Sequence, residues 1–289
     1  MLYNQRICVI LHLYYQDLWN DIKPYLLNLD LVTSYDLYVT ITQENKNLID
    51  DINSSFSENV NVYIEKIENI SKGADIYPFI YILNKIDLDN YDIIYKIHAK
   101  SNVEGLTHRF GKTLNKKIYI GSTLWRNLLI NELLGKYNVR KCIKIFSQNP
   151  QIGTIGFAPY LLTVTEDEPY FFDSPRSLYE MHKKYISLKV INKYQFYAGT
   201  IFAIRACLLK EFQNKYKVND FIDESNDKFS LLTYSFENLF GYIVESNGYK
   251  YSGVSIFSNN YILNFLSSKY LIWAFKIYVN KLLFGRNII

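Results

Sequence analysis

The sequence predicts an α/β fold in which helices flank a mostly parallel sheet. In the first half of the chain, short apolar segments alternate with segments whose apolar residues recur every three to four positions. Such alternation of strands and helices is typical of parallel strand pairing. Polar and basic residues directly follow one predicted strand, as ligand-binding residues do at the carboxyl edge of such sheets. With 289 residues, of which 49% are hydrophobic, the chain can bury a substantial core.

The chain begins with a predicted strand and helix. Residues 8–13 are a short apolar run, and Leu18, Ile22 and Leu26 then recur at the helical spacing that predicts a helix over residues 16–27. The pattern next alternates between β-rich and helix-periodic segments. It predicts a strand at residues 35–42, a helix at residues 45–56 and a strand at residues 60–64.

The next elements complete the first half of the predicted sheet. A polar turn containing a glycine leads into a predicted helix at residues 75–85, and a fourth strand is predicted at residues 93–98. Strongly periodic apolar residues predict a helix at residues 124–134, which Gly135 closes. Residues 102–117 lie between these elements and are polar and basic, which favours a long functional loop.

The second half of the chain is less regular. Residues 173–176 (Asp-Ser-Pro-Arg) open a helix with a capping residue and a proline at its first position. Residues 197–205 are predicted to be a single buried strand, and the acidic segment 220–227 precedes a helix at residues 231–245. Because no repeat or low-complexity linker separates the halves, they are expected to share one sheet and one core.

Net charge, cysteine spacing and the N-terminal residues indicate which partners and which compartment to expect. The net charge is only +4, and the 32 basic residues are interspersed with 28 acidic ones, so no nucleic-acid partner is predicted. The three cysteines are widely separated and form no C-x-x-C pair, which favours a reducing compartment. The N-terminal residues lack the features of a secretory signal, and a cytoplasmic location is therefore expected.

The C-terminal segment has an amphipathic character. Residues 261–284 are dense in Leu, Ile, Phe and Tyr but are interrupted by Lys269, Lys276 and Lys281. A helix lying on the cytoplasmic face of the membrane, with lysines reaching toward the headgroups, has this pattern. A terminal helix packed on its own domain has it too, and the sequence leaves both interpretations open.

Short strings in a specific order connect the chain to a known family. They are His12 to Leu18, Asn69 to Phe79, Ile97 to Ser101, Leu124 to Arg126 with Leu133 to Gly135, Ile155 to Pro159, Phe196 to Arg205, and Phe236 to Gly241. With these strings the chain resembles the rhamnan synthesis protein F family of bacterial polysaccharide glycosyltransferases. It departs from the usual family pattern by having Ala74 where an arginine is common, only Lys100 where lysine is doubled, and residues 227–229 (Asp-Lys-Phe) where Asp-Gly-Thr is common.

The resemblance implies a GT-A-like, Rossmann-type fold that transfers a sugar from a nucleotide donor to a growing surface glycan. Rhamnose is the sugar in the founding members, and another hexose is the alternative. The implied partners are a dTDP- or UDP-sugar and a lipid-linked glycan acceptor, with peripheral association at the inner membrane. The implied domain is residues 1–255, with a donor half at about 1–150 and an acceptor half at about 151–255, followed by a helical segment at 256–289.

A nucleotide-sugar site is expected at the carboxyl edge of the sheet. Its residues in the family strings are His12, Lys72, Gly73, Asp75, His98, Lys100, Ser101, Gly199 and Thr200, and Arg109 is added from the basic segment that follows the fourth strand. The diphosphate leaving group needs positive charge, which His98 and Lys100 would supply, with Arg109 or Lys112 closing over it. The alternative is a solvated basic strand end without this function. Asp75 either caps a helix or binds the ribose or base, and His12 either contacts the nucleotide or is a buried structural histidine.

The chain has basic residues where many GT-A enzymes carry a metal-binding Asp-x-Asp. No cofactor is therefore predicted, and activity without a metal is expected. Asp87 and Asp89 form a literal Asp-x-Asp, but they precede the fourth strand and so lie at the wrong edge of the sheet. A divalent cation held by residues 166–168 (Glu-Asp-Glu) is the alternative, although a solvated acidic turn is the more ordinary structure.

Transfer to a hydroxyl group is easier when a carboxylate accepts its proton. The candidate bases are Asp227, which matches the acidic position of the family's Asp-Gly-Thr element, then Glu224, then Glu237. The alternative for the first two is a solvated acidic loop, and for Glu237 a structural ion pair. The runner-up function is a catalytically silent subunit that binds a nucleotide or sugar in a polysaccharide-assembly complex.

Overall fold

The computed structural model describes residues 5–70, 73–99, 107–113, 116–170, 173–222 and 231–254. Within these ranges the α/β prediction is confirmed. The strands are β1 Ile7–His12, β2 Tyr35–Ile41, β3 Val60–Lys66, β4 Ile93–His98, β5 Thr107–Thr113, β6 Lys116–Gly121, β7 Ile152–Ile155, β8 Leu161–Thr165, β9 Lys193–Tyr197, β10 Phe202–Arg205 and β11 Lys250–Ser252. The α-helices are α1 Trp19–Asp30, α2 Lys46–Ser54, α3 Ile76–Leu83, α4 Ser122–Leu134, α5 Val139–Gln148, α6 Pro175–His182 and α7 Leu231–Ser246.

The central sheet has seven strands in the order β11-β7-β10-β4-β1-β2-β3. Its neighbours pair in parallel except for β10, which runs antiparallel to both β4 and β7. The chain moves outward from β1 through β2 to β3 and then returns to the other side of β1 with β4. This reversal of direction creates a topological switch point between β1 and β4, where ligands of open α/β sheets bind.

The strands at the switch point are the centre of the core. All six residues of β1 and all six residues of β4 are buried, as expected for parallel strands that are covered by helices on both faces. In β4 the burial includes two residues with polar side chains, Lys96 and His98. Those side chains need partners inside the protein, because burial removes them from water.

Helices cover the sheet with their apolar stripes. In α5, Val139, Cys142, Ile143 and Phe146 follow the i, i+3, i+4, i+7 spacing, and all four are buried. Helices α1 and α4 pack together, and the buried Arg126 of α4 donates to the Asp21 carboxylate of α1 at 2.6 Å. No helix within the described ranges is long and apolar enough to cross a membrane.

Two sequence predictions are wrong. Within the predicted loop at 102–117, the described residues 107–113 and 116–117 are not loop, since they belong to the antiparallel strands β5 and β6. Residues 197–205 are not one strand: β9 pairs with β8 in a separate two-stranded sheet, and β10 belongs to the central sheet. The turn at residues 198–201 separates them because Gly199 and Thr200 adopt positive φ angles of 100° and 53°, which no strand allows.

Candidate functional site

Two histidines lie side by side at the carboxyl edge of the switch point. His12 is the last residue of β1 and His98 the last residue of β4, and the two are register partners in the parallel ladder. The ladder continues one residue further, because the Ala99 N–H donates to the His12 carbonyl at 2.9 Å. Both side chains are buried, so the polar atoms at this edge are held within the fold.

A charged network lies beside His98. The Lys96 ammonium group, only 1% exposed, donates to the Asp75 carboxylate and, at 3.1 Å, to the Thr200 carbonyl. The Thr200 hydroxyl donates to the same Asp75 carboxylate at 2.7 Å. The Phe79 ring lies 5.5 Å below the ammonium. Asp75 is 19% exposed, which makes this carboxylate the part of the network that reaches solvent.

His98 joins this network to the turn before β10. Its Nε2 lies 3.0 Å from the Gly199 carbonyl oxygen and 3.2 Å from the Thr200 hydroxyl. A carbonyl oxygen only accepts, so Nε2 carries the proton in this contact. The same nitrogen is 3.6 Å from the Asp75 carboxylate. Three segments that are distant in sequence are therefore connected at one point.

The turn at residues 198–200 depends on Gly199. Its φ of 100° favours glycine, and a Cβ there would lie 2.6 Å from Cζ2 of the buried Trp125. The Gly199 N–H donates to the Glu237 carboxylate of α7. Glu237 thus fixes the position of residues 198–200. This turn places the Thr200 hydroxyl within hydrogen-bonding distance of the Asp75 carboxylate.

His12 is a neutral, oriented imidazole. Its Nδ1 lies 2.9 Å from the Thr40 hydroxyl, which donates to the Leu11 carbonyl. The Nδ1 therefore carries the proton, and Nε2 is left as an acceptor. Burial lowers the pKa of His12 to about 4, since the positively charged form loses its hydration. At neutral pH this residue acts through hydrogen bonds and not through charge.

The segment before α3 brings Asp75 to the network. Asp75 occupies the N-cap position of α3, yet its side chain makes no capping hydrogen bond. Ala74 adopts a φ of 44°, and a Cβ on Gly73 would lie 2.5 Å from the Tyr77 Cβ. The tight turn directs the Asp75 carboxylate toward Lys96 and Thr200 instead of toward the helix end. The capping interpretation of Asp75 is therefore wrong.

The residues that meet here come from separate strings of the family pattern. Asp75 lies in the string from Asn69 to Phe79, His98 in that from Ile97 to Ser101, Thr200 in that from Phe196 to Arg205, and Glu237 in that from Phe236 to Gly241. The family model for rhamnan synthesis protein F matches residues 1–249. The chain belongs to this family.

Two curated relatives from Xanthomonas campestris pv. campestris, strains B100 and ATCC 33913, are similar to this family member. Both are called "Uncharacterized protein WxcX", and each is 26% identical over 159 residues. The match covers 55% of the present chain but only 20% of each relative. The chain thus spans about a fifth of the relatives' length. The family description supports a role in rhamnan and polysaccharide synthesis.

Several predicted site residues of this rhamnan synthesis family member lie outside the described residues. They are Lys72, Lys100, Ser101, Glu224 and Asp227, and the C-terminal segment from residue 255 onward lies outside as well. Arg109 is on β5, where its backbone is in register with Tyr119, but its side chain is not among those described.

The two acidic alternatives lie elsewhere. Asp87 and Asp89 are in the turn before β4, at the opposite edge of the sheet from His98, and Asp89 forms an ion pair with Lys210. Glu166 follows β8, and its carboxylate accepts from the Arg176 N–H at 2.7 Å. In the part of the chain that the structure describes, no three His, Cys, Asp or Glu side chains cluster as metal ligands do.

Sequence reasoning missed Lys96 and Thr40. Lys96 interrupts the otherwise apolar and aromatic string Ile-Ile-Tyr-Lys-Ile of β4. A lysine in the middle of a fully buried strand needs an internal anion, and this signal was available from the sequence. Thr40 carries no comparable signal, since a threonine in a β-rich segment is ordinary.

Proposed function

We propose that this chain is a glycosyltransferase that moves a sugar from a nucleotide donor to a lipid-linked precursor of a cell-surface polysaccharide. One observation carries the proposal. Residues from separate family strings, namely Asp75, His98, Thr200 and Glu237, converge at the carboxyl edge of the switch point. Nucleotides bind α/β sheets at that position. A GT-A-like fold is the corresponding proposal for the family.

The donor's nucleoside would contact His12 and Asp75. The His12 Nε2 is an acceptor, and the Asp75 carboxylate is partly exposed while Lys96 and Thr200 hold it in place. Ribose and base donate hydrogen bonds, and a fixed acceptor binds a donor group without losing rotational freedom. Lys96 is a positioning residue in this scheme, because its ammonium group is already bound by Asp75 and the Thr200 carbonyl.

The diphosphate would lie beyond the end of β4, near Lys100, Ser101 and Arg109. Positive charge there would stabilise the leaving group as the bond between sugar and phosphate breaks. The acceptor oxygen forms the new bond to the anomeric carbon, and the nucleoside diphosphate leaves with the bonding electron pair. The proposal includes turnover without a metal, since basic residues replace the usual Asp-x-Asp.

Asp227 is the proposed base that takes the acceptor's hydroxyl proton, with Glu224 as the alternative. Glu237 is less suitable, because its carboxylate already accepts from the Gly199 N–H. Its proposed role is to position the turn that carries Thr200. The proposed location is the cytoplasmic face of the membrane, with residues 256–289 as the contact with lipid.

The test is transfer by the full-length chain from a panel of dTDP- and UDP-sugars to a lipid-linked acceptor, with and without EDTA. We expect transfer that survives EDTA. Asp227→Asn should keep donor binding but lose transfer by about a hundredfold or more, the usual scale for loss of a general base. Asp50→Asn, at an exposed carboxylate of α2 outside both proposed sites, is the matched control and should retain transfer.

A silent binding subunit is the second candidate. The substitution of the common arginine by Ala74 and of Asp-Gly-Thr by residues 227–229 (Asp-Lys-Phe) favours it. Tight donor binding with no turnover of any donor in the panel would establish this role and contradict the transferase. Strict dependence on Mg²⁺ or Mn²⁺ would instead move the diphosphate site toward residues 166–168.

A further inference from the structure

A groove of about 370 Å³ runs along one side of α3. One wall is the helix face that carries Tyr77, Tyr81 and Asn84 at helical spacing. The other wall is formed by Asn214, Tyr216 and Lys217 in the segment after β10. The volume lies within the usual range for small-ligand sites. None of these residues belongs to the site at the switch point.

The groove is held open by internal contacts. Asn84 joins the two walls, since its side chain donates to the Tyr216 carbonyl at 3.3 Å and accepts from the Asn214 N–H at 2.7 Å. The Tyr216 hydroxyl is bonded to His182 Nδ1 at 2.8 Å, and its ring packs 4.7 Å from that of Phe236. A ligand would therefore meet preformed walls, which lowers the entropy cost of binding.

The chemistry of the walls fits a carbohydrate. Tyr77 and Tyr81 are only half-buried, with ring centroids 6.1 Å apart. The face of an aromatic ring is electronegative and attracts the weakly positive C–H groups on the flat side of a sugar ring. Exposed amide and ammonium groups of Asn214 and Lys217 lie at the rim, where hydroxyl groups need partners. Ile80 and Val218 are the aliphatic residues of the lining, and the aromatic and polar residues outnumber them.

The groove begins at the first turn of α3, the helix that Asp75 directly precedes. Tyr77 is the second residue of this helix. From Tyr77 to Asn84 the helix rises by about 10 Å, which suits a short oligosaccharide. At the start of the helix, the Tyr77 ring lies 5.9 Å from that of Phe221, where the chain approaches the predicted acidic segment.

We propose that this groove binds the glycan part of the acceptor, with the growing end toward Asp75 and the older sugars toward Asn214. The inference rests on the proposed function, because it names the acceptor subsite of that reaction. Stacking on Tyr77 and on Tyr81, whose ring already carries the Lys85 ammonium 4.6 Å from its centroid, would supply affinity. The groups at the rim would select among hydroxyl patterns.

The experiment measures binding of a rhamnose trisaccharide to the full chain by saturation-transfer NMR and titration, and acceptor KM where transfer occurs. Tyr81→Ala should weaken binding by about tenfold or more, as truncation of a central aromatic contact does, and should raise acceptor KM while leaving donor KM unchanged. Asn214→Gly can keep the positive φ of 60° and removes the side-chain amide, so we expect a smaller loss of trisaccharide binding. Tyr137→Ala is the matched control, because Tyr137 is highly exposed outside the groove and should not affect binding.

The outcomes separate this inference from the proposed reaction. Trisaccharide binding that is lost in Tyr81→Ala, without any transfer by the parent chain, would support the groove and contradict the reaction. Transfer with unchanged acceptor binding in both Tyr81→Ala and Asn214→Gly would overturn the groove alone. If Tyr81→Ala fails to fold, unchanged binding in Asn214→Gly and Lys217→Ala overturns the inference. If binding appears only after residues 255–289 are removed, those residues occupy the groove and the inference is also overturned.

Discussion

Ion pairs lie at both edges of the central sheet, but they differ in burial. At the carboxyl edge, the side chains of Lys96 and Asp75 are 1% and 19% exposed. At the amino edge, those of Lys210 and Asp89 are 45% and 74% exposed. The Arg6 and Asp92 pair at that edge is likewise open to solvent. Lysine–aspartate pairs at the two edges therefore differ in how much hydration they lose on folding.

An exposed pair costs little to form and contributes little to stability. A buried pair is different, because both charges must be removed from water before they can attract each other. Lys96, His98 and Thr200 lose their hydration in this way, and hydrogen bonds within the protein replace the lost contacts with water. The network lies at the edge where open α/β sheets bind ligands, and a costly buried network at such an edge favours a functional role over a purely stabilising one.

The largest expected effect comes from Lys96→Met. Removing the ammonium takes from the Asp75 carboxylate its ion pair with a buried cation, while the Thr200 hydroxyl still donates to it. We expect the free energy of unfolding to fall by about 3 kcal/mol, measured by urea denaturation. Adding Asp75→Asn should restore part of the loss, because it removes the negative charge that the Lys96 ammonium neutralised. Equal stability of the single variant and the parent would show that the network is not coupled.

Gly199→Ala should have the next largest effect. The new Cβ must adopt a φ of 100° and would overlap the buried Trp125 ring. We expect a loss of about 2 kcal/mol from strain and steric overlap together. The control is Gly248→Ala, where φ is 76° but nothing lies within 4 Å of the added atom. A smaller loss there isolates the overlap with Trp125, and equal losses would argue against it.

The pH dependence of His12 should produce a smaller change. Its pKa is about 4 in the folded protein because of burial, against about 6.5 in the unfolded chain. Between these values only the unfolded chain takes up the proton, so stability is lost as pH falls. We expect a loss of about 1 kcal/mol between pH 6 and pH 5 from this residue. His12→Gln should flatten the stability curve in that range, and an unchanged slope would contradict the assignment.

Lys210→Met tests the amino edge and should have the smallest effect. The variant removes the exposed ion pair with Asp89, and we expect no measurable shift in the urea midpoint. We therefore predict a large loss of stability in Lys96→Met and none in Lys210→Met. A loss comparable to that of the buried lysine would mean that burial does not separate the two edges.

Much of the sheet could be predicted because its strands and helices carry local signals. The apolar runs before His12 and His98 locate β1 and β4 at the switch point, and periodic residues locate α4. The turn between β9 and β10 could not be predicted in this way, because its location depends on packing against Trp125 and on Glu237. Both contacts join residues that are far apart in sequence.

Binding of the donor by the predicted site residues stays a prediction, and the sequence did not indicate how their side chains are connected. His12, Asp75, His98 and Thr200 were expected to bind the donor from their family strings. Their partners were not expected: the sequence shows an aspartate before a helix, which normally caps it. The Asp75 side chain instead bonds to a lysine 21 residues later and a threonine 125 residues later. Pairing across such distances leaves no local pattern.

The antiparallel strand β10 has a consequence for how the protein is made. It lies between β4 and β7, and the turn before it supplies the Thr200 groups that bind Lys96. During synthesis, the ribosome completes β4 about a hundred residues before β10. Until β10 docks, the nascent chain exposes the apolar edge of β4. Lys96 then lacks the Thr200 carbonyl, which is its second acceptor beside Asp75. We therefore expect premature termination before residue 200 to leave an aggregation-prone fragment in place of an independently folded half.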